Sequence, residues 1–544
     1  MTRADVVVRG ARAWSPGSTL PPGSDALAIR GGRIAAAGRF EDLEDLIGPT
    51  TEVLDAPGGT ILPGFQDAHV HPPWSGLEML QCHLHDVSGA EAYPPVVRAY
   101  AEAHPDEPWI LGGGWTISDF PGGTPHRAAL DEVVPDRPAF LYNRDGHGAW
   151  VNSRALAMAG ITRHTPDPPD GRIERDPDGE PSGVLHEGAT ELLDRIVPPT
   201  APESIERATL LAQEHLHALG ITAWQDASVH DDTLGAYLAL ARRGALTARV
   251  VGALWWDRER GLEQVPDLVE RRRDGVVGRF RATSVKVMQD GIPENFTAAM
   301  LEPYLDGHGV PLDGRGLSFV EPALLREAVT ALDRERFQVH LHAIGDRAVR
   351  ESLDALEAAR RANGPGDRRH HVAHLQVVHP DDVPRFASLE VVANCQPFWA
   401  CLDDQMRDLC IPFLGPERSA TQYPFRSLGA AGARLAFGSD WSVTTADPWP
   451  QIQVAVTRVP VDHPEREPFL PGQALDLEAC LDASTVGSAF VNRLEEQTGT
   501  LEPGKLADLV VVDRDPFAEE PGSLHEVRTA LTLVGGAVVY ARQA

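Results

Sequence analysis

Short apolar, strand-like runs recur along the middle of the chain, separated by stretches with a helical pattern. Eight stand out: "GFQDAHVH" (64–71), "ITAWQDAS" (221–228), "ARVVGALWW" (248–256), "ATSVKVMQDG" (282–291), "FQVHLHAIGD" (337–346), "HHVAHLQVV" (370–378), "LEVVANCQPF" (389–398) and "ARLAFGSDW" (433–441). Several are followed by segments such as "DRAVRESLDALEAARRA" (346–362), whose apolar residues fall three and four apart as on one face of a helix. Eight strands alternating with helices predict an α/β fold, a closed (β/α)8 barrel of the TIM type. A long doubly wound sheet is the alternative. It is disfavoured because no G-x-G-x-x-G opens a helix after the first strand.

The two ends of the chain read differently. "ADVVVRGARAW", "ALAIRGGRIAAAG" and "TEVLDAPGGTILPG" alternate β-formers with Gly and Pro, and "GTLEPGKLADLVVVDRD" and "VRTALTLVGGAVVY" near the other end resemble them. The expectation is a small composite β-sandwich domain from residues 1–62 and 492–544, with the barrel over 63–491. Residues 72–220 are too long for one connection and rich in Gly, Pro and Asp, so an inserted subdomain is expected over about 73–215.

Composition narrows the classes of function. The chain has 544 residues, a formal charge of −30 and a pI near 5.0. Such acidity repels phosphate backbones and anionic lipid, so a small-molecule substrate is expected, with no nucleic acid and no membrane as partner. Five scattered cysteines with no C-x-x-C pair argue against a disulfide framework and a thiolate zinc site. No secretory pattern and no run of 18 apolar residues is seen, and the expected location is cytoplasmic.

In a parallel barrel, chemistry sits at the carboxyl ends of the strands. The first run supplies His69 and His71, whose i, i+2 spacing puts both imidazoles on one face. The fifth supplies His340 and His342, the sixth His370, His371 and His374, and the eighth Asp440. The fourth holds Lys286. Of the 49 lysines and arginines only two, Lys286 and Lys505, are lysine. Arginine supplies charge equally well but cannot supply a primary amine.

These residues sit in motifs that resemble the amidohydrolase superfamily. Within it, the chain is similar to the branch of bacterial metal-dependent hydrolases that includes N-substituted formamide deformylase. The motifs are "LPGFQDAHVHP", "LDEVVPDRPAFLYNRDGHGAWVNSRAL", "VKVMQDG", "HLHAIGDRAV", "HHVAHLQ", "FGSDW" and "GTLEPGKLADLVVVD". The resemblance implies a binuclear centre. His69, His71 and Asp440 hold the more buried ion, His342 and His374 hold the second, and Lys286, carboxylated by carbon dioxide, bridges the two. A single metal beside an unmodified Lys286 is the alternative. Imidazole and carboxylate ligands suit Zn2+, with Fe, Mn or Co also compatible.

The implied reaction is hydrolysis of a non-peptide C–N bond by a metal-activated water. A linear amide such as an N-substituted formamide is expected, and Asp440 moves the proton to the leaving nitrogen. His147 is a candidate for gripping the substrate carbonyl or oxyanion. Trp115, Trp399 and Trp441, with Trp74 and Phe398, are candidates for an apolar pocket. A cyclic amide or carbamate hydrolase, and a catalytically silent small-molecule-binding relative, are the competing functions. Phosphoester hydrolysis is weaker, since no cationic cluster is dedicated to a phosphate. The branch resemblance suggests a homodimer.

Overall fold

The computed structural model describes residues 3–18 and 20–543; Met1, Thr2, Thr19 and Ala544, all within the expected terminal domain, lie outside the described residues. The eight apolar runs form strands β1 (Phe65–Val70), β2 (Ile221–Val229), β3 (Arg249–Trp255), β4 (Phe280–Met288), β5 (Gln338–Ala343), β6 (His371–His374), β7 (Val392–Cys395) and β8 (Leu435–Phe437). Each pairs in parallel with the next, so sheet order follows chain order from β1 to β8. The result is a nearly closed parallel barrel. The β8–β1 seam is drawn together just beyond the strand, where the Asp440 amide donates to the His69 carbonyl at 2.7 Å. Gly438 makes that approach possible, because a Cβ there would lie 2.5 Å from the His69 Cβ.

Helices return the chain between strands. After β5, helix α1 (Asp346–Asn363) buries Ala348, Val349, Ser352, Leu353, Ala355, Leu356 and Ala359, a stripe at three- and four-residue spacing. Its polar face stays outside. Inside the barrel the filling is unusually polar: Gln225, Gln338, His340, His371 and Asn394 are all buried there. Aliphatic side chains are the common filling of such barrels.

Between β1 and β2 the chain builds a separate six-stranded sheet, in the order Gly171–Arg175, Pro181–Glu187, Gly148–Val151, Ala139–Asn143, Ile110–Trp115 and Cys82–His83. Its own apolar core includes Leu84, Ile110, Trp115, Leu141 and Trp150. The chain ends meet as well. Thr60–Pro63 pairs antiparallel with Leu509–Val512, and Val6, Val8, Leu27 and Ile29 share an apolar cluster with Ile61, Leu509, Val511 and Leu533. Among the described residues, no helix is long and apolar enough to cross a membrane.

Candidate metal centre

The carboxyl ends of β1, β4, β5, β6 and β8 bring six ligand-type side chains together. His71 Nε2 lies 2.9 Å from Asp440 Oδ1, and His69 Nε2 lies 3.2 Å from the same oxygen. His374 Nδ1 is 3.8 Å from Asp440 Oδ2. Lys286 Nζ is 3.4 Å from His69 Nε2. The rings of His342 and His374 have centroids 4.2 Å apart. One ligand atom from each of His69, His374 and Asp440 falls within 4.8 Å of the others. The backbone is strained to arrange this: His374 has φ 78° and Asp440 φ 56°, each a departure costing roughly 1–3 kcal/mol that clusters at functional sites.

Burial sets the charges. It drives His69 down to about 3, with the Lys286 charge adding to the effect, and drives His342 and His374 well below the usual imidazole range. These rings are therefore neutral, with lone pairs to give. Burial alone would raise Asp440, but His69 and His71 hold it well below the usual carboxylate range, so it is ionised. Burial also lowers Lys286 to about 8, against the pull of Asp440 and Asp226. The two lysines thus differ in kind. Lys505 donates to the carbonyls of Glu495 (2.7 Å) and Thr498 (3.3 Å). Lys286 is buried with an imidazole nitrogen as its hydrogen-bond neighbour.

The donor set fits divalent metal. Both ring nitrogens of His374, Nε2 of His342 and Nδ1 of His71 are buried without a hydrogen-bond partner. Unpaired buried polar atoms are costly, and neutral imidazoles beside one ionised carboxylate make a borderline-soft N/O donor set.

The insertion contributes to the rim. His147 Nδ1 sits 2.9 Å from Glu187 Oε2, and its ring centroid is 5.8 Å from that of His342. Burial opposes its charge, yet the Glu187 carboxylate outweighs this and raises His147 to about 9, so it is an imidazolium. Glu187 is held in turn by the Thr297 hydroxyl at 2.7 Å. Around the site, Trp74 lies 5.7 Å from the His71 ring, Trp399 lies 5.7 Å from the His374 ring, and Trp441 stacks on His215 at 4.7 Å.

Trp115 departs from expectation. It is packed in the core of the inserted sheet, edge-on to Trp150, and its indole N–H is spent on the Leu141 carbonyl at 2.9 Å. It has neither a free face nor a free donor for a substrate. His370 is also elsewhere, bonded to Asp333 at 3.2 Å and accepting from the Val339 amide.

Sequence reasoning passed over three carboxylates. Asp67 accepts the His69 and Ser439 amides and so couples β1 to the residues after β8. Asp290 accepts the amides of Ala299, Ile344 and Gly345, with Oδ1 3.6 Å from His342 Nε2. It lies in "VKVMQDG", where it drew no reading of its own. Glu187 had no sequence signal linking it to His147, 40 residues away.

The sequence profile of the amidohydrolase family matches residues 52–540. The chain is 33% identical to Protein LONG AFTER FAR-RED 3 of Arabidopsis thaliana, over 99% of this chain and 92% of that protein. It is 27% identical to N-substituted formamide deformylase of Arthrobacter pascens, over 95% of each. Among solved structures, an uncharacterized metal-dependent hydrolase from Pyrococcus furiosus superposes with TM-score 0.72 and 27% identity, covering 94% of this chain and 99% of that one.

Proposed function

The chain belongs to the amidohydrolase family and is a hydrolase acting on carbon–nitrogen bonds, and on that premise we propose that it hydrolyses a linear amide, of which an N-substituted formamide is the leading class. The observation that carries the site assignment is the convergence of His69, His71, Lys286, His342, His374 and Asp440 at one end of the barrel, with buried imidazole nitrogens on His71, His342 and His374 that have no hydrogen-bond partner. The substrate class is supported by the full-length similarity to the Arthrobacter pascens enzyme.

In this reading His69, His71 and Asp440 would hold one Zn2+, and His342 and His374 would hold a second. A divalent ion there supplies Lewis acidity, acidifying water and polarising an amide carbonyl. Lys286, carboxylated to a carbamate, would supply a further carboxylate ligand to the two ions. Its neutral amine would attack carbon dioxide: the N–C bond forms as one C–O π bond opens to a carboxylate oxygen, and the nitrogen gives up one proton to solvent. The lowered pKa of Lys286 supports this, because the neutral amine is accessible near pH 8. Asp440, ionised at rest, takes the proton of the attacking water at its carboxylate and passes it to the leaving nitrogen. His147, fixed by Glu187, donates a hydrogen bond to the substrate oxygen as negative charge grows there. Trp74, Trp399 and Trp441 bound the space for the nitrogen substituent. Residues 1–62 and 492–544 serve as a composite β-sandwich domain bracing the barrel.

A one-metal reading has its own support, since one ligand atom each from His69, His374 and Asp440 falls within 4.8 Å of the others, a set that a single ion can satisfy. Elemental analysis of wild type and Lys286→Ala, purified without chelators, separates the two. Two metals per chain falling sharply in the variant is the expected result. One metal in both leaves a mononuclear enzyme with unmodified Lys286. A panel of N-formyl amines, other linear amides, cyclic amides and carbamates then tests the substrate class; turnover confined to ring substrates would displace the linear-amide reading.

A further inference from the structure

His340 and His342 stand two apart on β5 and both turn into the barrel, but they meet different neighbours. His340 is fully buried, and its Nε2 lies 2.9 Å from His69 Nδ1, with the rings edge-on at 4.7 Å. The other nitrogen of His69, Nε2, is the one that faces Asp440 and Lys286. Two neutral imidazoles in such a contact share one proton: one donates and the other accepts. A histidine that gives the Nε2 lone pair to a metal carries its proton on Nδ1, and that proton needs an acceptor.

The floor beneath His340 leaves its Nε2 free for that task. The Asn394 amide nitrogen lies 2.9 Å from the Ala68 carbonyl, which can only accept, so the orientation of this amide is fixed. The same nitrogen therefore donates to His371 Nδ1 at 3.1 Å. That puts the His371 proton on Nε2, which donates to Gln225 Oε1 at 2.9 Å. An independent anchor gives the same answer. Gln338 Nε2 donates to the Arg369 and Val491 carbonyls, so its Oε1 accepts from Gln225 Nε2, and Gln225 presents its oxygen to His371. His371, its ring tilted 41° to that of His340 with centroids 4.0 Å apart, has both nitrogens occupied. Nothing in this network competes for His340 Nε2.

We infer that His340 is a positioning residue: it accepts the His69 Nδ1–H and so fixes the tautomer and ring plane in which His69 Nε2 binds a divalent cation. The assignment rests on the reading of His69 as a metal ligand. It also explains why two histidines at i, i+2 on one strand have separate roles. His340 Nε2 is used on His69 Nδ1, while the His342 ring packs against that of His374.

The test uses Zn2+ as the probe on full-length protein, titrated against a competing chelator, with thermal melting of each metal-free form as a control. His340→Phe keeps a ring and removes the acceptor. His340→Gln keeps an acceptor oxygen. The expected result is Zn2+ affinity about 10- to 100-fold weaker in His340→Phe and largely restored in His340→Gln, with similar metal-free melting. Wild-type affinity in His340→Phe, or equal weakening in both variants, overturns the proposal. Should His340→Phe fail to fold, His340→Leu carries the same comparison. His69→Ala separates the two layers of argument. If it retains the full Zn2+ complement, the ligand assignment fails and the positioning role with it. If it loses Zn2+ while His340→Phe binds normally, the positioning role alone is wrong.

Discussion

The tripeptide His-Leu-His occurs three times: the copy at 215–217 lies in the helix Pro202–Ala218, whereas the other two, at 83–85 and at 340–342, both begin in strands and have different fates. The first starts at the end of a two-residue strand on the edge of the inserted sheet. His83 stays partly exposed, 3.4 Å from Asp86, while His85 Nε2 takes Glu78 Oε2 at 3.1 Å. The second lies within a six-residue strand buried throughout, with β4 on one side and β6 on the other. Its two rings enter the barrel and meet other imidazoles. The local sequence is identical, so the difference is one of address. A strand inside a closed parallel barrel aims alternate side chains at a shared axis, where strands distant in sequence do the same. An edge strand offers no such convergence.

The sharpest break of this contrast is on the barrel side. Asp440→Asn and His342→Ala should each lower turnover by on the order of 10³-fold or more, read with whichever amide is turned over best; near-wild-type rates in Asp440→Asn would remove it from proton transfer. Lys286→Arg keeps the charge but not the amine. It should abolish activity and reduce bound metal while circular dichroism stays that of a folded barrel.

A smaller effect is expected at His147, which belongs to the insertion but faces the site. Its pKa, about 9, lies above the value of 6.5 for an unperturbed imidazole. The stability it contributes is therefore complete below about pH 6.5, declines as pH rises, and is gone above about pH 9. The melting gap between wild type and His147→Gln should narrow from pH 6 to about pH 9.5, and a gap independent of pH would exclude the imidazolium.

On the insertion side, His85→Ala strands the buried Glu78 carboxylate, which also accepts from the Ser442 hydroxyl. A loss of about 1–3 kcal/mol in stability is expected with metal content unchanged. A drop in bound metal would instead tie this copy to the centre. Least of all should change in His83→Ala, within about 0.5 kcal/mol by chemical denaturation.

Much of this was legible early because periodicity and residue chemistry agree. Each of the eight apolar runs became a barrel strand, and the amphipathic 346–362 stretch became helix α1. The six ligand candidates came from the family resemblance, which selected among the strand-end histidines and one of the two lysines, and the fold brings those six side chains together. Trp115 misled because an indole near a strand end looks the same whether it lines a pocket or fills a core. Asp290 drew no reading of its own within "VKVMQDG", and only the fold shows it gathering three amides beside His342.

What the sequence determined by itself is the alternation of strands and helices and the inventory of donors. Both are local: the first is set by burial period, the second by side-chain chemistry. Tertiary structure decided which donors meet. That choice separates His342 from His340, pairs His147 with Glu187, and draws Asp440 against His69 across the seam at Gly438. It depends on distances between atoms tens to hundreds of residues apart, and no local pattern along the chain encodes them.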